Sequence, residues 1–191
     1  MNRAAFLDRD GVINRKAPSG QYVTRWEEIQ ILPGAAEAIS LFNQAGYLVI
    51  VVTNQRSVAK GLITVAELEN LHGRMCADLA RAGANIHAIY YCPHELAAGC
   101  DCRKPQPGML MLAAHAHNIT LNTSWMIGDT DLDIKAGKNA GCRTVRLVER
   151  DDETHEQADA VASSLLEAAH TILQCAEVSP VNPGAAHSQA L

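Results

Sequence analysis

The sequence predicts a doubly wound α/β fold, with a mostly parallel, Rossmann-like sheet and helices on both faces. Short aliphatic runs alternate with longer segments of helical periodicity along the 191 residues, and this alternation is typical of parallel sheets. Apolar residues make up 48% of the chain and aromatic residues only 4%, so aliphatic side chains must fill the core. The length suits one domain, expected over residues 1–175 without a large cap domain.

Five short apolar runs are expected to form the strands. They lie at residues 4–7, 47–52, 86–91, 124–127 and 143–148. The second run is continuous and rich in β-branched residues, as expected for a strand that is covered on both faces.

Helix signals occupy the segments between these runs. The expected helices cover residues 34–45, 64–83, 108–117, 131–139 and 163–175. Thr64 begins the second of them, and Glu67 three residues later completes a capping box. Residues 176–191 lack apolar periodicity and are expected to form a disordered tail.

Charge and hydropathy narrow the classes of partner. The formal net charge of −5 argues against non-specific nucleic-acid binding, which needs a basic surface. The first residues lack a signal-peptide pattern, and no apolar run approaches the roughly 20 residues of a membrane span. We therefore expect a cytoplasmic protein without nucleic-acid or membrane partners. We also expect a monomer, which the compact layout permits.

Polar residues follow the expected strands at the edge where α/β proteins bind ligands. The first strand ends in Asp8-x-Asp10, the second in Thr53-Asn54 and the fourth in Gly128-Asp129. Carboxylates that converge in a cleft repel one another unless a cation lies between them, and Mg²⁺ is the hard cation that suits oxygen ligands.

This set of residues suits phosphoryl transfer. A carboxylate such as Asp8 can attack phosphorus and form an aspartyl-phosphate. Asp10 can serve as general acid and then as general base, while Thr53 and Lys104 can bind the charged phosphoryl group. The alternative for Asp8-x-Asp10 taken alone is a strand-end cap or a solvated turn.

The four motifs together resemble the haloacid dehalogenase superfamily over residues 4 to 150. They are Asp8-x-Asp10-Gly11-Val12, Thr53-Asn54-Gln55, Lys104-Pro105 and Gly128-Asp129-(x3)-Asp133. The resemblance implies a Mg²⁺-dependent phosphatase with Asp8 as nucleophile and Asp10 as acid/base. It also implies that Thr53 and Lys104 bind the phosphoryl group. The implied Mg²⁺ ligands are Asp8, Asp10 and Asp129.

A cysteine-histidine loop spans residues 92–102. Its pattern Cys-x-His-(x5)-Cys-x-Cys offers a complete tetrahedral Zn²⁺ set, which indicates a structural metal site. The ligands would be Cys92, His94, Cys100 and Cys102. The alternative is a group of free buried thiols, which is our interpretation of Cys76, Cys142 and Cys175 in their apolar contexts. The other histidines, His72 among them, are expected at surface or helix positions.

The loop and its flanks resemble the heptose bisphosphate phosphatases within the superfamily. The similar segments are residues 100–109, Ile13-Asn14 and Ala59-Lys60-Gly61. The resemblance implies removal of the 7-phosphate of D-glycero-D-manno-heptose 1,7-bisphosphate, a small sugar phosphate used for a bacterial surface polysaccharide. The implied substrate contacts are Asn14, Asn54, Gln55, Arg56, Arg103 and Lys104.

Two segments depart from the heptose pattern, and several alternatives stay open. Arg56-Ser57 stands where Ser-Gly is usual, and Thr130 stands where Lys is frequent. Arg56 could supply the charge missing at position 130, or the substrate could differ. The alternatives are a histidinol-phosphate or other small sugar-phosphate phosphatase, a DNA-end phosphatase, and a non-catalytic interaction domain stabilised by zinc.

Overall fold

The computed structural model describes residues 1–148 and 158–177, and these residues form a six-stranded sheet with five helices. The strands are β1 (Arg3–Leu7), β2 (Tyr47–Asn54), β3 (Ala88–Cys92), β4 (Trp125–Gly128), β5 (Arg143–Leu147) and β6 (Ala160–Ala162). The helices are α1 (Ala35–Gln44), α2 (Val65–Arg81), α3 (Gly108–His117), α4 (Asp131–Ala140) and α5 (Leu165–Glu177). The strand order is β3-β2-β1-β4-β5-β6, and every pairing is parallel.

Both faces of the sheet are covered, because side chains of a strand alternate between two core clusters. In β1, Ala5 and Leu7 belong to one cluster and Phe6 belongs to the other. The first cluster includes residues of α1, α2 and α5, and the second includes residues of α3 and α4. The predicted doubly wound fold is therefore confirmed, and no large cap domain interrupts the described residues.

The strand boundaries differ from the prediction at the β2–β3 pair. Strand β2 extends to Asn54, and β3 covers Ala88–Cys92 instead of residues 86–91. The reason is the register, in which Asn54 pairs with Cys92, so that pairing continues into the polar end of each strand. Strand β6 was not predicted, because three residues are too few to show periodicity.

The capping box predicted at the start of α2 is present in the structure. The Glu67 backbone N–H donates to Thr64 Oγ1 at 3.2 Å, and the Thr64 backbone N–H donates to Glu67 Oε2 at 2.8 Å, which confirms the capping box. The predicted disordered tail lies outside the described residues, apart from the last residues of α5, which ends at Glu177. Within residues 1–148 and 158–177, no helix is long and apolar enough to cross a bilayer.

Candidate active site

The carboxyl ends of β1, β2 and β4 lie side by side, because β1 pairs with both other strands. Asp8 follows β1, and its backbone N–H donates to the carbonyl of Ile127 in β4 at 3.0 Å. Thr53 ends the buried part of β2. The polar residues that follow these predicted strands therefore share one edge of the sheet.

Lys104 lies at the centre of this edge, and its side chain is only 2% exposed. Its ammonium is 2.9 Å from Asp8 Oδ1 and 2.6 Å from Asp133 Oδ1. It also donates to the carbonyl of Val52 at 2.8 Å. Burial alone would lower the pKa of Lys104, but the carboxylates of Asp133 and Asp8 outweigh it and raise that pKa. Lys104 is therefore a buried cation beside the predicted nucleophile.

Three carboxylates converge here and could hold a metal ion. Ligand oxygens of Asp8, Asp129 and Asp133 all lie within 4.8 Å of one another. Burial raises the pKa of Asp8 to about 7, and the charges of Asp133 and Asp129 act in the same direction while Lys104 opposes them. The Oδ1 atom of Asp129 is buried and has no hydrogen-bond partner among the described residues. A hard divalent cation would satisfy this donor set.

Asp133 differs from the other two carboxylates because both of its oxygens already have partners. Its Oδ2 accepts from the backbone N–H of Thr130 at 3.0 Å and from the Thr130 hydroxyl at 2.6 Å. Its Oδ1 faces Lys104 at 2.6 Å. Asp133 was recognised as part of a motif but received no predicted role, and the structure gives it the position of an anchor for Lys104.

Asp10 is not a member of this acidic group, and its carboxylate accepts hydrogen bonds from other residues. Its Oδ1 accepts from Arg9 Nε at 3.2 Å, Arg9 Nη2 at 2.9 Å and Asn14 Nδ2 at 2.9 Å. Its Oδ2 accepts from Arg9 Nη2 at 2.7 Å and Gln55 Nε2 at 3.1 Å. The Mg²⁺ role of Asp10 stays a prediction, since its carboxylate is directed to Arg9 in this arrangement.

The turn after β2 binds the segment that carries Lys104. Asn54 Nδ2 donates to the carbonyl of Lys104 at 3.2 Å, and the Lys104 backbone N–H donates to Asn54 Oδ1 at 3.1 Å. Gln55 Nε2 also donates to the Thr53 hydroxyl at 3.0 Å. Asn54 and Gln55, both predicted substrate contacts, therefore support the residues around the predicted phosphoryl site.

Lys16 was missed by sequence reasoning. It lies in the connection after β1, and its ammonium donates to Asp129 Oδ2 at 2.8 Å. Nothing in the sequence around it indicates this contact. The same connection approaches Asp129 through Gly11, where a Cβ atom would lie only 2.4 Å from Asp129 Oδ2. With a φ of +94°, Gly11 also has a backbone conformation that suits glycine.

The predicted metal loop brings its four ligands together. Sulfur–sulfur distances are 3.7 Å for Cys92 to Cys100 and 3.4 Å for Cys102 to Cys100. His94 Nδ1 is 3.2 Å from the Cys102 sulfur, and all four ligand atoms lie within 4.8 Å of one another. This cluster could hold a metal ion, and its thiolate and imidazole donors suit a tetrahedral site.

The three remaining cysteines lie outside this loop. Cys142 is buried and Cys76 is half-buried, but Cys175 is exposed on α5. The expectation of a buried thiol was therefore wrong for Cys175. Cys175 lies in the last turn of α5, three residues beyond Ile172, whose side chain is buried.

The two predicted substrate arginines both contact the metal loop. Arg103 Nη1 donates to the carbonyl of His94 at 3.3 Å. Arg56 forms an ion pair with Glu95. Arg56, one of the departures from the heptose pattern, thus connects the turn after β2 to the loop.

Comparisons with known proteins identify the class of this chain. A family model described as HAD-hyrolase-like matches residues 101–168. A solved structure of D,D-heptose 1.7-bisphosphate phosphatase from B. bronchiseptica, complexed with magnesium and phosphate, superposes with a TM-score of 0.83 and 32% identity. That comparison covers 90% of this chain and 98% of the other. The fold is that of a haloacid dehalogenase-like phosphatase, and the chain is a phosphoric monoester hydrolase of this class.

Curated relatives define the family more narrowly. A D-glycero-beta-D-manno-heptose-1,7-bisphosphate 7-phosphatase of Pseudomonas putida is 42% identical over 140 residues, which are 73% of this chain and 79% of the relative. The enzyme of the same name from Pasteurella multocida is 38% identical over 173 residues, or 87% and 92% of the two chains. The chain belongs to the family of these heptose bisphosphate phosphatases.

Proposed function

We propose that the protein removes the 7-phosphate of D-glycero-D-manno-heptose 1,7-bisphosphate in a Mg²⁺-dependent reaction through an aspartyl-phosphate on Asp8. The observation that carries the proposal is the buried Lys104 ammonium, 2.9 Å from Asp8 Oδ1, next to a second carboxylate with an unpartnered oxygen, Asp129. A phosphoryl group needs a nucleophile, a cation and a metal site at one place, and this edge of the sheet supplies residues for all three. The family of the chain supports the choice of sugar phosphate.

The nucleophile would be one oxygen of Asp8. Its Oδ1 accepts from the Arg9 backbone N–H at 2.7 Å and lies 2.9 Å from the Lys104 ammonium, so we assign the attack on phosphorus to Oδ2. As the new O–P bond forms, the bond to the sugar oxygen breaks, and Asp10 gives that oxygen a proton. Asp10 then takes a proton from water as the water attacks the aspartyl-phosphate and releases phosphate. Thr53 and Lys104 would bind the phosphoryl oxygens.

The residues present fit Mg²⁺ at the acidic group. Asp8 and Asp129 would offer carboxylate oxygens to it, whereas the carboxylate of the third predicted ligand, Asp10, stays bonded to Arg9. Bound Mg²⁺ would neutralise charge on the phosphoryl group and the carboxylates. Asp133 would act indirectly, since Lys104 and Thr130 occupy its oxygens.

The cysteine-histidine cluster suits structural Zn²⁺, held by Cys92, His94, Cys100 and Cys102. Four protein ligands leave no position for substrate. The loop continues directly into Arg103 and Lys104, so the metal would fix the two cations relative to the sheet. Arg103, with Arg56 and Asn14, is proposed to contact the substrate, and Arg103 would clamp its second phosphate.

Steady-state kinetics on a panel of phosphate esters tests the substrate. The panel contains heptose bisphosphate, histidinol phosphate, other sugar phosphates and a 3'-phosphorylated oligonucleotide. We expect the highest kcat/KM for heptose bisphosphate, and a clear preference for any other compound would overturn that assignment. Cytoplasmic location and a monomeric state stay predictions from the sequence.

A second measurement tests the nucleophile independently of the substrate. Asp8→Asn removes the attacking carboxylate and should abolish turnover of every ester in the panel. Appreciable residual turnover in a clean preparation would show that Asp8 is not the nucleophile.

A further inference from the structure

Arg9 carries the largest fully buried side chain of the described residues, at 0% exposure. Its guanidinium lies between two groups of different chemistry. On one side it makes three hydrogen bonds to the Asp10 carboxylate, of 3.2, 2.9 and 2.7 Å. On the other side Nη1 is 3.1 Å from Nε2 of His72. A buried guanidinium is costly unless its donors are satisfied, so both partners matter for its position.

The chemistry of this contact determines the state of His72. A guanidinium has only donors, so Nε2 of His72 must accept the hydrogen bond from Arg9. The imidazole is therefore neutral and carries its proton on Nδ1. Burial and the adjacent Arg9 charge lower the pKa of His72 to about 3, which agrees with the neutral form.

The His72 imidazole is packed within the buried face of helix α2. His72 is 5% exposed and lies on the same buried side of α2 as Leu68, Leu71 and Met75. Its ring also meets the edge of Tyr91 in β3, with centroids 5.8 Å apart. The imidazole therefore provides a fixed acceptor to which the Arg9 guanidinium is tied.

On its other side, the Arg9 guanidinium holds Asp10, the predicted acid/base. Asn14 and Gln55 also donate to the Asp10 carboxylate, at 2.9 and 3.1 Å, but each supplies one bond. Arg9 supplies three bonds and is the charged donor, and charge-assisted bonds are the stronger ones. A shift of Arg9 would therefore change the orientation of Asp10 more than the loss of either amide.

We propose that His72 is a positioning residue for proton transfer: by accepting a hydrogen bond from Arg9, it fixes the guanidinium that orients the Asp10 carboxylate. The inference rests on the proposed function, in which Asp10 protonates the leaving oxygen. His72 itself touches neither substrate nor reacting atoms. Without its acceptor, Arg9 loses one of its two anchors, and Asp10 samples orientations from which proton transfer is slower.

Dependence on the leaving group separates this role from a purely structural one. An alkyl phosphate needs a proton on its leaving oxygen, whereas p-nitrophenolate leaves readily without one. The ratio kcat/KM reports only the steps up to formation of the aspartyl-phosphate. A change that misplaces the general acid therefore lowers kcat/KM for the alkyl phosphate and spares p-nitrophenyl phosphate.

The experiment measures kcat/KM of His72 variants on p-nitrophenyl phosphate and on the alkyl phosphate that the wild-type enzyme hydrolyses best. For His72→Leu we expect a loss of about tenfold on the alkyl phosphate, a fraction of the 10²–10⁴-fold typical of general acid catalysis, and less than about twofold on p-nitrophenyl phosphate. His72→Gln keeps an acceptor at the place of Nε2 and should recover most of the loss. Equal losses on both substrates, or no recovery with glutamine, would overturn the proposal.

Two further proteins make the outcome unambiguous. Asp10→Asn should show the same selective loss in a larger form. If Asp10→Asn lowers kcat/KM equally for both esters, the acid role of Asp10 in the proposed function is wrong. If Asp10→Asn shows the selective loss but His72→Leu does not, only the positioning role of His72 is rejected. Met75→Ala weakens the same buried face of α2 but removes none of the side-chain hydrogen bonds of Arg9, so its effect should not depend on the leaving group.

A measurement on the wild-type enzyme covers the case in which His72→Leu does not fold. Nitrogen-15 chemical shifts of the imidazole at pH 7 report its protonation and tautomer. We expect a neutral His72 with the proton on Nδ1. A cationic ring, or a proton on Nε2, would be incompatible with acceptance from Arg9 and would refute the inference.

Discussion

Replacing Lys104 with methionine should both destabilise the fold and slow the reaction. The ammonium contacts Asp8 Oδ1 at 2.9 Å, Asp133 Oδ1 at 2.6 Å and the carbonyl of Val52 at 2.8 Å. Methionine keeps the length of the stem but leaves these buried oxygens without their cation. Loss of one partner of a buried ion pair costs about 3–5 kcal/mol. We expect this decrease in the free energy of unfolding in magnesium-free buffer.

Urea unfolding at pH 7 measures this decrease. The matched control is Lys60→Met, whose ammonium is exposed, and surface changes usually stay within about 0.5 kcal/mol. Added Mg²⁺ should restore part of the stability of Lys104→Met, because a cation again separates the carboxylates. Turnover should fall by about 10²–10³-fold, as when one donor to a developing charge is removed. A stability loss below about 1 kcal/mol in magnesium-free buffer would show that Lys104 does not balance these carboxylates.

Three other perturbations test different parts of the site. Gly11→Ala brings a Cβ within 2.4 Å of Asp129 Oδ2 and should raise the Mg²⁺ concentration needed for half-maximal activity. The control Gly46→Ala has a similar positive φ but open space around the new Cβ, and it should not change that concentration. Equal effects of the two substitutions would contradict a role of Gly11 at the metal site. Removal of zinc, or Cys102→Ser, should lower both activity and Tm, because Arg103 directly follows the last metal ligand in sequence. The control is Cys175→Ser, which lies outside the metal loop. Full activity in protein that metal analysis shows to be free of zinc would contradict a dependence of activity on the metal loop. His72, with a pKa lowered to about 3 from 6.5, is neutral when folded but takes up a proton on unfolding below pH 6.5. Its stabilising contribution is therefore complete above pH 6.5 and declines towards pH 3. Between pH 7 and 5, the free energy of unfolding measured in urea should fall by about 2 kcal/mol more for the wild type than for His72→Gln. Equal decreases in the two proteins would contradict the lowered pKa.

The sequence predicts those residues of the site that lie at the carboxyl ends of strands. Asp8, Thr53 and Asp129 come directly after apolar runs, and parallel strands present their carboxyl ends on one edge. Their meeting therefore needs no knowledge of side-chain packing. The cysteine-histidine cluster was predictable for a similar reason, because its ligands are close in sequence and one short loop can bring them together.

Contacts between distant segments could not be predicted in this way. The pairing of Lys16 with Asp129 depends on the path of the connection after β1, which has no periodic signal. The direction of the Asp10 carboxylate depends on Arg9, and nothing in a sequence shows that an arginine between two aspartates is fully buried. Such orientations follow from packing across the sheet.

His72 is an intermediate case, because the sequence contained a usable signal. It lies four residues after Leu68 and three before Met75, so the helical period that places those two inward places His72 inward as well. A histidine on the apolar face of an amphipathic helix needs a polar partner, since an unpaired buried nitrogen is costly. The periodicity thus predicts a buried imidazole with a polar partner, but not that the partner is Arg9.

The charges at this edge of the sheet explain why the reaction should require a metal. Four carboxylates face three cations, and each cation has its own partner: Arg9 with Asp10, Lys16 with Asp129, and Lys104 with Asp8 and Asp133. With all groups ionised, the site carries one net negative charge and repels a phosphoryl dianion. A divalent cation reverses that sign, so the site attracts the phosphoryl group only when the cation is bound. Binding of inorganic phosphate measured by calorimetry should therefore be weak without Mg²⁺ and clearly stronger with it, and equal affinity in both conditions would contradict this balance of charges.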